Sequence, residues 1–294
     1  MAFRELARAK INLTLTVLGR RPDGYHDVVS LVAFAGIGDR VTLRPGPECR
    51  VTARGPFAAA IEGPNLLARA LALLGGLEPE LRLGTVELEK ALPVAAGLGG
   101  GSADAAALLR AVRRANPERA TAIDWHGLAA RLGADVPVCL AGRPAVMRGI
   151  SERIEPLVGS PPLPPLALVL VNPRVPLPTA RVFAAFAGSP APHRPSRWDE
   201  APAAELAAFF DLDALLVHMR ARGNDLEHAA TLLVPAIAEV MAALRAMPQC
   251  CLAAMSGSGP TCFGIFTDDA AAALATDALA RAHPGWWIAP SRLD

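Results

Sequence analysis

Apolar and polar residues alternate in several short stretches of the chain, and this period of two predicts β-strands. The clearest alternation runs from Ile11 to Val17, inside a predicted strand region over residues 3–18. Other stretches are short and almost wholly apolar, which is typical of strands that are buried on both faces. The remaining strands are predicted at residues 28–34, 41–43, 85–90, 145–147, 166–171, 251–254, 262–266 and 286–289.

Other segments repeat their apolar residues every three or four positions, and glycine, proline and asparagine mark the ends of the helices that this period predicts. Gly75-Gly76 should end the first helix, and Ser102 should begin the second. Because strands and helices are clustered rather than strictly alternating, we expect an α+β fold in two lobes. The predicted helices lie at residues 65–74, 102–114, 125–132, 178–186, 206–216, 225–232, 235–247 and 268–282.

Two proline-rich segments interrupt these elements. Residues 156–165 carry no periodicity, and we place a domain boundary there. This gives an N-terminal lobe over residues 1–155 and a C-terminal lobe over residues 156–294. Residues 188–202 are proline-rich and polar, which predicts a surface loop.

Composition narrows the class of protein. Hydrophobic residues make up 52% of the 294 residues and charged residues 19%, so the chain can bury a sizeable core and disorder is not expected. The net charge of +1 shows no excess of basic residues that would suggest a nucleic-acid-binding surface. No stretch of about 18 apolar residues predicts a membrane span, and early charged residues argue against a signal peptide. We therefore expect a cytoplasmic protein, monomeric or weakly dimeric, without nucleic-acid or membrane partners.

The five cysteines have none of the spacings that are typical of metal sites or disulfide frameworks. They are expected to be buried free thiols.

A glycine-rich loop follows the strand predicted at residues 85–90. Glycine occupies four of the five positions 97–101, and strong helix formers follow from Ala103. Such a loop leads into a helix N-terminus, whose N–H groups and dipole form a site for an anion such as a triphosphate. It is not a Walker A loop, since no Gly-Lys-Ser or Gly-Lys-Thr follows, and Pro93 argues against a dinucleotide fingerprint. A flexible turn with Ser102 as the helix cap is the alternative.

A second glycine loop, Met-Ser-Gly-Ser-Gly-Pro-Thr at residues 255–261, lies between two predicted strands. By itself it indicates only a turn. Together with the first loop, it is expected to line the same phosphate site.

Three motifs together resemble those of the GHMP kinases, the group that includes galactokinase and the homoserine, mevalonate and phosphomevalonate kinases. Residues 93–106 resemble the phosphate-binding motif of the group, residues 9–13 its first motif and residues 255–261 its third. Strings at residues 19–26, 133–137 and 223–227 narrow the resemblance to a member that acts on a cytidine diphosphate substrate. The resemblance implies an N-terminal lobe of the ribosomal protein S5 domain 2 type, a ferredoxin-like C-terminal lobe and an active site between them.

It also implies a kinase that uses ATP and Mg²⁺ to phosphorylate the 2-hydroxyl of cytidine diphosphate methylerythritol in non-mevalonate isoprenoid biosynthesis. Ser102 is the expected Mg²⁺ ligand. The residues expected to bind ATP are consecutive: Val94, Ala95, Ala96, Gly97, Leu98, Gly99, Gly100, Gly101, Ser102, Ala103 and Asp104.

Phosphoryl transfer needs in-line positioning, neutralisation of phosphate charge and removal of a proton from the attacking alcohol. The resemblance makes Asp135 the group that accepts this proton or orients the hydroxyl, with Lys10 as the cation beside it. The alternatives are a helix cap or surface carboxylate for Asp135 and a solvated strand end for Lys10. Only Lys10 and Lys90 among the 29 basic residues are lysines, which favours a role for Lys10 that a guanidinium does not fill. Lys90 is placed outside the catalytic set.

The cytidine substrate is expected beside Asn12, Tyr25 and His26. Tyr25 would stack on the base, His26 would hydrogen-bond its edge, and Phe183 would cover the opposite face. A core tyrosine and a loop histidine bonded to protein are the alternatives. Val32 stands where the resemblance leads us to expect an aromatic residue, which leaves the stacking arrangement open.

Other functions remain open at this point. A sister GHMP kinase is one, although the Tyr25-His26 pair and residues 133–137 count against it. A nucleotide-binding regulator without catalysis is another, against which the presence of Lys10 and Asp135 speaks. An interaction module using residues 188–202 is a third, with no specific support. Asn224 and Asp225 are expected to brace the interface between the lobes, which is a structural role.

Overall fold

The computed structural model describes residues 1–63, 65–158, 163–187 and 211–293. The chain forms two compact units, each assembled from separate segments. The first unit contains Met1–Ala9, Ile37–Val94 and Gly99–Gly142, and the second contains Lys10–Gly36, Ala95–Leu98 and Arg143–Asp294. The division predicted between residues 155 and 156 stays a prediction.

The first unit combines a small sheet with four helices. In the sheet, β5 (Gly84–Glu89) pairs parallel with β4 (Arg50–Arg54) and antiparallel with the second half of β3 (His26–Pro45). Residues 103–109 of the alanine-rich second helix are all buried, because small side chains let the other three helices pack closely around it. The helices are α1 (Leu66–Leu77), α2 (Gly100–Ala115), α3 (Trp125–Leu132) and α4 (Val136–Ala141).

The second unit contains an antiparallel sheet in the order β11–β8–β10–β9. β8 (Leu166–Asn172) is buried along its whole length, between β11 (Trp287–Leu293) and β10 (Cys262–Phe266). β9 (Cys250–Met255) pairs with the far side of β10. The continuous apolar run of β8 is therefore explained by burial on both faces of this sheet.

The same unit holds a second antiparallel group around the first half of β3. β2 (Thr16–Arg20) and β6 (Ala145–Gly149) both pair with β3, and β7 (Arg153–Pro156) pairs with β6. β1 (Phe3–Asn12) begins in the first unit and ends in the second. The described helices of the second unit are α5 (Thr179–Ala187), α6 (Leu212–Arg222), α7 (Glu227–Leu233), α8 (Ala236–Arg245) and α9 (Asp269–Ala282).

Glycines account for two wrong element predictions. β3 is a single strand of 20 residues, whereas two strands were predicted. At Gly38, a Cβ would lie 2.1 Å from the carbonyl oxygen of Ala7, so this glycine permits a close approach of backbone and does not mark a turn. α1 likewise continues through Gly75-Gly76 to Leu77, and a Cβ on Gly75 would make only an ordinary contact with Leu83, at 3.6 Å.

The observed helices and strands differ from the predicted ones at several other places. β4, β7 and α4 were not predicted. Of the helix predicted at residues 206–216, residues 212–216 are observed in α6, which continues to Arg222 and is followed by Gly223 with φ +62°. Residues 159–162 of the predicted boundary segment, residues 188–210 with the predicted loop, and Pro64 lie outside the described residues. In the ranges that are described, no helix is both long and apolar enough to cross a bilayer.

Candidate active site

The central part of the first glycine loop, Ala95–Leu98, is fixed by its carbonyl groups. The carbonyl oxygen of Leu98 accepts a hydrogen bond from the backbone N–H of Lys10 at 2.9 Å. Gly97 O accepts from the Ser256 hydroxyl at 2.9 Å, and Ala96 O accepts from the N–H of Thr261 at 3.2 Å. Three consecutive carbonyls are thus directed to one side, towards β1 and the second glycine loop.

The amide groups of these peptides consequently point the other way. In a planar trans peptide the N–H is antiparallel to the preceding C=O. The N–H groups of Gly97, Leu98 and Gly99 are therefore directed away from the residues that hold the loop. A row of amides with one direction forms a concave site for an anion.

The two glycine loops pack backbone to backbone, and glycine is required where they meet. Gly97 has φ +74°, and a Cβ there would lie 2.4 Å from Ser256 O and 2.9 Å from both N and O of Gly259. A side chain at Gly257 (φ +56°) would meet Gly97 O at 3.2 Å. The second loop thus packs against the first, and its expected place in a phosphate site stays a prediction.

The helix that follows the loop starts two residues earlier than predicted. α2 begins at Gly100, and its N-cap is Gly99, with φ +61° and no side chain to cap the helix. Ser102 is the third helical residue, so the alternative interpretation of Ser102 as N-cap is wrong. The first helical bond runs from Ala103 N to Gly99 O at 2.8 Å. The N–H groups of the three residues before Ala103 therefore have no acceptor within the helix.

A buried ion cluster lies at the start of α2 in the first unit. The ammonium of Lys90 is 2.5 Å from Asp39 Oδ2 and 2.8 Å from Asp104 Oδ2, and Lys90 is 3% exposed. Burial lowers the pKa of Lys90, but Asp104 and Asp39 together outweigh it and hold that pKa above its ordinary value. Burial also raises the pKa of Asp104 to about 7, although the charge of Lys90 opposes this shift.

Sequence reasoning missed this cluster. Lys90 was left outside the site, and Asp104 was expected only to contact ATP. The scarcity of lysine, which drew attention to Lys10, applies equally to Lys90 and was the available signal. Asp39 lies 51 residues from Lys90 in the sequence, and no local pattern connects the two.

Lys10 and Asn12 both lie near the end of β1, in the second unit, and both are nearly fully buried. The solvated strand end considered for Lys10 is therefore wrong. Asn12 Nδ2 donates to the Ser30 hydroxyl at 2.7 Å, and Ser30 donates its only proton to Thr14 O at 2.6 Å. This chain fixes the orientation of the Asn12 amide. Its Oδ1 makes no hydrogen bond in the described part of the chain.

Asp135 occupies the residue before α4, in the first unit, and is half-buried. Its side chain makes no capping hydrogen bond to the helix. The helix-cap interpretation therefore receives no support from its geometry. Lys10, the residue expected to act with Asp135, belongs to the second unit.

Two of the residues expected at the cytidine subsite, His26 and Phe183, stack on each other. The rings of His26 and Phe183 lie 5.0 Å apart with an interplanar angle of 23°, and Phe186 approaches His26 edge-on at 6.5 Å. Burial, helped by the charge of Arg20, lowers the pKa of His26. Tyr25 is 63% exposed, so the core-tyrosine alternative is wrong.

Asn224 and Asp225 hold segments of the second unit together. Asn224 Nδ2 donates to the carbonyls of Met255 and Gly257, at 2.9 and 2.8 Å. Asp225 Oδ2 accepts from the N–H of Val17 at 2.8 Å. Both residues thus make structural contacts within the second unit, where Asn224 fixes the second glycine loop, and the expected bracing of the lobe interface stays a prediction.

No group of three or more His, Cys, Asp or Glu side chains that could hold a metal ion occurs in the ranges the structure describes. The Ser102 hydroxyl is a single oxygen donor. Mg²⁺ commonly takes only one or two protein oxygens together with substrate phosphates and water. The single hydroxyl of Ser102 is compatible with a Mg²⁺ site that substrate phosphates and water complete. It is too few donors for a site built from protein alone.

Comparison with known proteins gives two matching family models. The model for the GHMP kinases N terminal domain matches residues 65–143, and the model for the GHMP kinases C terminal matches residues 203–285. These ranges include α2 of the first unit and β9 and β10 of the second.

Curated relatives match over nearly the whole chain. A 4-diphosphocytidyl-2-C-methyl-D-erythritol kinase from Cereibacter sphaeroides (strain ATCC 17025 / ATH 2.4.3) is 50% identical, covering 98% of both chains. A protein of the same name from Rhodopseudomonas palustris (strain ATCC BAA-98 / CGA009) is 49% identical, covering 98% of this chain and 96% of the relative.

Solved structures agree. A crystal structure of 4-(cytidine 5'-diphospho)-2C-methyl-D-erythritol kinase matches with a TM-score of 0.75 and 35% identity, covering 99% of this chain and 98% of the other. A homoserine kinase from Cytophaga hutchinsonii matches with a TM-score of 0.71 at 18% identity, covering 99% and 94%, and is similar in fold. The chain belongs to the GHMP kinases and, within them, to the family of the 4-diphosphocytidyl-2-C-methyl-D-erythritol kinases.

Proposed function

We propose that this protein transfers the γ-phosphoryl group of ATP to the 2-hydroxyl of 4-diphosphocytidyl-2-C-methyl-D-erythritol, a step of non-mevalonate isoprenoid precursor biosynthesis. The observation that carries the proposal is the 50% identity, over 98% of both chains, to a relative named as the kinase for this substrate. The family as a whole consists of kinases, for which ATP is the phosphate donor.

The loop at residues 94–104 binds the phosphates of ATP in this proposal. Its support is the common direction of the carbonyls of Ala96, Gly97 and Leu98, which turns the opposite amides away from the protein segments that hold the loop. The N-terminus of α2 adds a positive dipole end. Mg²⁺, when bound with ATP, would neutralise phosphate charge, and Ser102 is the residue proposed to hold it.

Asp135 orients the acceptor hydroxyl and takes its proton, and Lys10 supplies positive charge during the transfer. The side chain of Asp135 makes no capping hydrogen bond to α4, so helix capping does not account for this residue. Lys10 is almost fully buried, and a buried ammonium is costly unless opposite charge compensates it. A buried lysine in a chain that otherwise uses arginine fits a compact catalytic cation.

Asn12, Tyr25, His26 and Phe183 bind the cytidine substrate. Asn12 Oδ1 has a fixed orientation and makes no hydrogen bond within the residues that the structure describes, which suits a hydroxyl donor of the substrate. The exposed ring of Tyr25 stacks on the cytosine. The lowered pKa of His26 keeps its imidazole neutral, with one donor and one acceptor for the edge of the base. Phe183 acts by holding the ring of His26.

We also propose that the enzyme works in the cytoplasm as a monomer or weak homodimer, without nucleic-acid or membrane partners. The near-zero net charge of +1 supports the expectation that nucleic acid is not a partner. Sedimentation velocity at several protein concentrations tests the oligomeric state, and a stable tetramer would contradict it.

A coupled assay of ADP release tests the reaction. ATP should be consumed with 4-diphosphocytidyl-2-C-methyl-D-erythritol and not with homoserine or mevalonate. Asp135→Asn should lower kcat by about 100-fold or more with a modest change in KM, because only the transition state loses the interaction. Binding of ATP without turnover of any alcohol would instead favour a regulatory protein, and near-normal turnover of Asp135→Asn would remove Asp135 from its role.

A further inference from the structure

We infer that Asp39, Lys90 and Asp104 are positioning residues that fix both ends of the phosphate-binding loop through one buried ammonium. This inference rests on the loop role proposed above, in which Asp104 is the last residue of the loop and Asp39 and Lys90 have no function. Asp39 is on β3, Lys90 follows β5, and Asp104 is the fifth residue of α2. All three are in the first unit.

The entry to the loop is held by Asp39. Its Oδ1 accepts hydrogen bonds from the backbone N–H groups of Ala91 and Leu92, at 2.6 and 2.8 Å. These are the two residues that precede Pro93. A carboxylate that receives two main-chain donors fixes the direction in which the chain leaves β5, and charged acceptors make the stronger hydrogen bonds.

The exit from the loop is held by Asp104 through Lys90. The ammonium contacts Asp104 Oδ2 at 2.8 Å and Asp39 Oδ2 at 2.5 Å, so one cation connects α2 to β3. The first turn of α2 passes close to this cation, since a Cβ on Gly100 would lie 3.1 Å from Lys90 Nζ. A glycine at this position lets the helix start directly over the ammonium.

Burial makes this arrangement selective for lysine. All three side chains are 5% exposed or less, and a buried charge is tolerated only with well-placed partners. A guanidinium is larger and planar, and it would have to occupy the space against Gly100. The chain uses arginine for nearly all its other basic residues but keeps lysine here.

The consequence is a loop whose two ends have a common anchor. The amides that are proposed to bind phosphate lie between Leu92 and Asp104, so loosening either end moves them. Because preorganised donors cost little reorganisation on binding, loss of the anchor should weaken ATP binding even where the protein remains folded.

The test measures binding of a non-hydrolysable ATP analogue with Mg²⁺ by calorimetry, at a temperature where each variant is folded. Asp104→Ala and Lys90→Met should each weaken binding by about tenfold or more, whereas Asp104→Asn, which still offers Lys90 an acceptor, should recover most of the affinity. Lys90→Arg should not recover it. The double variant Lys90→Met/Asp104→Asn should bind about as weakly as Lys90→Met, because both residues act through one contact. The double variant replaces Lys90→Met in the binding test if Lys90→Met alone does not fold.

Hydrogen exchange without ligand gives a local measurement. Amides of Ala91 and Leu92 should exchange faster in Lys90→Met than in the wild type, and Asp124→Asn, which retains an N-cap for α3, is the matched control. Wild-type affinity in folded Asp104→Ala, or unchanged exchange at Ala91 and Leu92 in Lys90→Met, would overturn the inference. Failure to phosphorylate the cytidine substrate would refute the proposed function and leave both measurements interpretable.

Discussion

Gly97→Ala tests the packing of the two glycine loops most directly. The new Cβ would meet Ser256 O at 2.4 Å and both N and O of Gly259 at 2.9 Å, and all of these are backbone atoms that no rotamer change can move. The residue also has φ +74°, which costs alanine about 1–2 kcal/mol. Separation of the loops would break the hydrogen bonds to Gly97 O and Ala96 O, each worth about 0.5–1.5 kcal/mol. The free energy of unfolding should fall by about 2–5 kcal/mol in total.

Urea unfolding gives this free energy, and titration with an ATP analogue gives the functional effect. We expect ATP affinity to fall by about tenfold or more, because the amides that are proposed to hold phosphate move with Gly97. Gly76→Ala is the matched control: its Cβ meets no atom within 4 Å, it lies inside α1, and it should stabilise the protein by about 0.5–1 kcal/mol. A Gly97→Ala protein with wild-type stability and ATP affinity would refute the reasoning.

The remaining predictions concern stability and substrate binding. Asp104 has a pKa of about 7 in the folded protein against an ordinary value of 3.8, so its contribution to the free energy of unfolding is complete below about pH 4 and is lost as the pH rises through 7. Urea unfolding at about pH 5.5 and about pH 8 should show a larger loss in the wild type than in Asp104→Asn, and equal losses would contradict this. Asn224→Ala removes two hydrogen bonds to carbonyls of the second glycine loop and should lower the free energy of unfolding by about 1–3 kcal/mol in the same assay. Phe183→Ala frees the ring of His26 and should raise KM for the cytidine substrate several-fold while KM for ATP stays within about twofold, and equal effects on both would argue against a cytidine site.

Local patterns in the sequence predicted much of the site and of the fold. The glycine loop, the second glycine loop between β9 and β10, and the buried strand β8 all follow from short-range signals, namely glycine spacing and apolar runs. The resemblance to the GHMP kinases, which the comparisons confirm, rests on the same short strings.

The features that were missed depend on contacts between distant residues. Two strands were predicted in place of β3, because the sequence does not show that Ala7 passes beside Gly38. The cluster around Lys90 needs Asp39, which is brought there by the pairing of β3 with β5. His26 and Phe183 are 157 positions apart, and only the packing of α5 brings their rings together. In each case the tertiary structure determines what the residue does.

The main-chain amide and the side-chain ammonium of Lys10 have two separable roles. Its main-chain amide secures the glycine loop through Leu98, independently of which side chain the residue carries. Its ammonium is the part for which a chemical role is proposed. Replacement by methionine, a straight chain of similar length, would therefore delete the cation and keep the main-chain hydrogen bond to Leu98, so that lost turnover with retained nucleotide affinity would point to the ammonium.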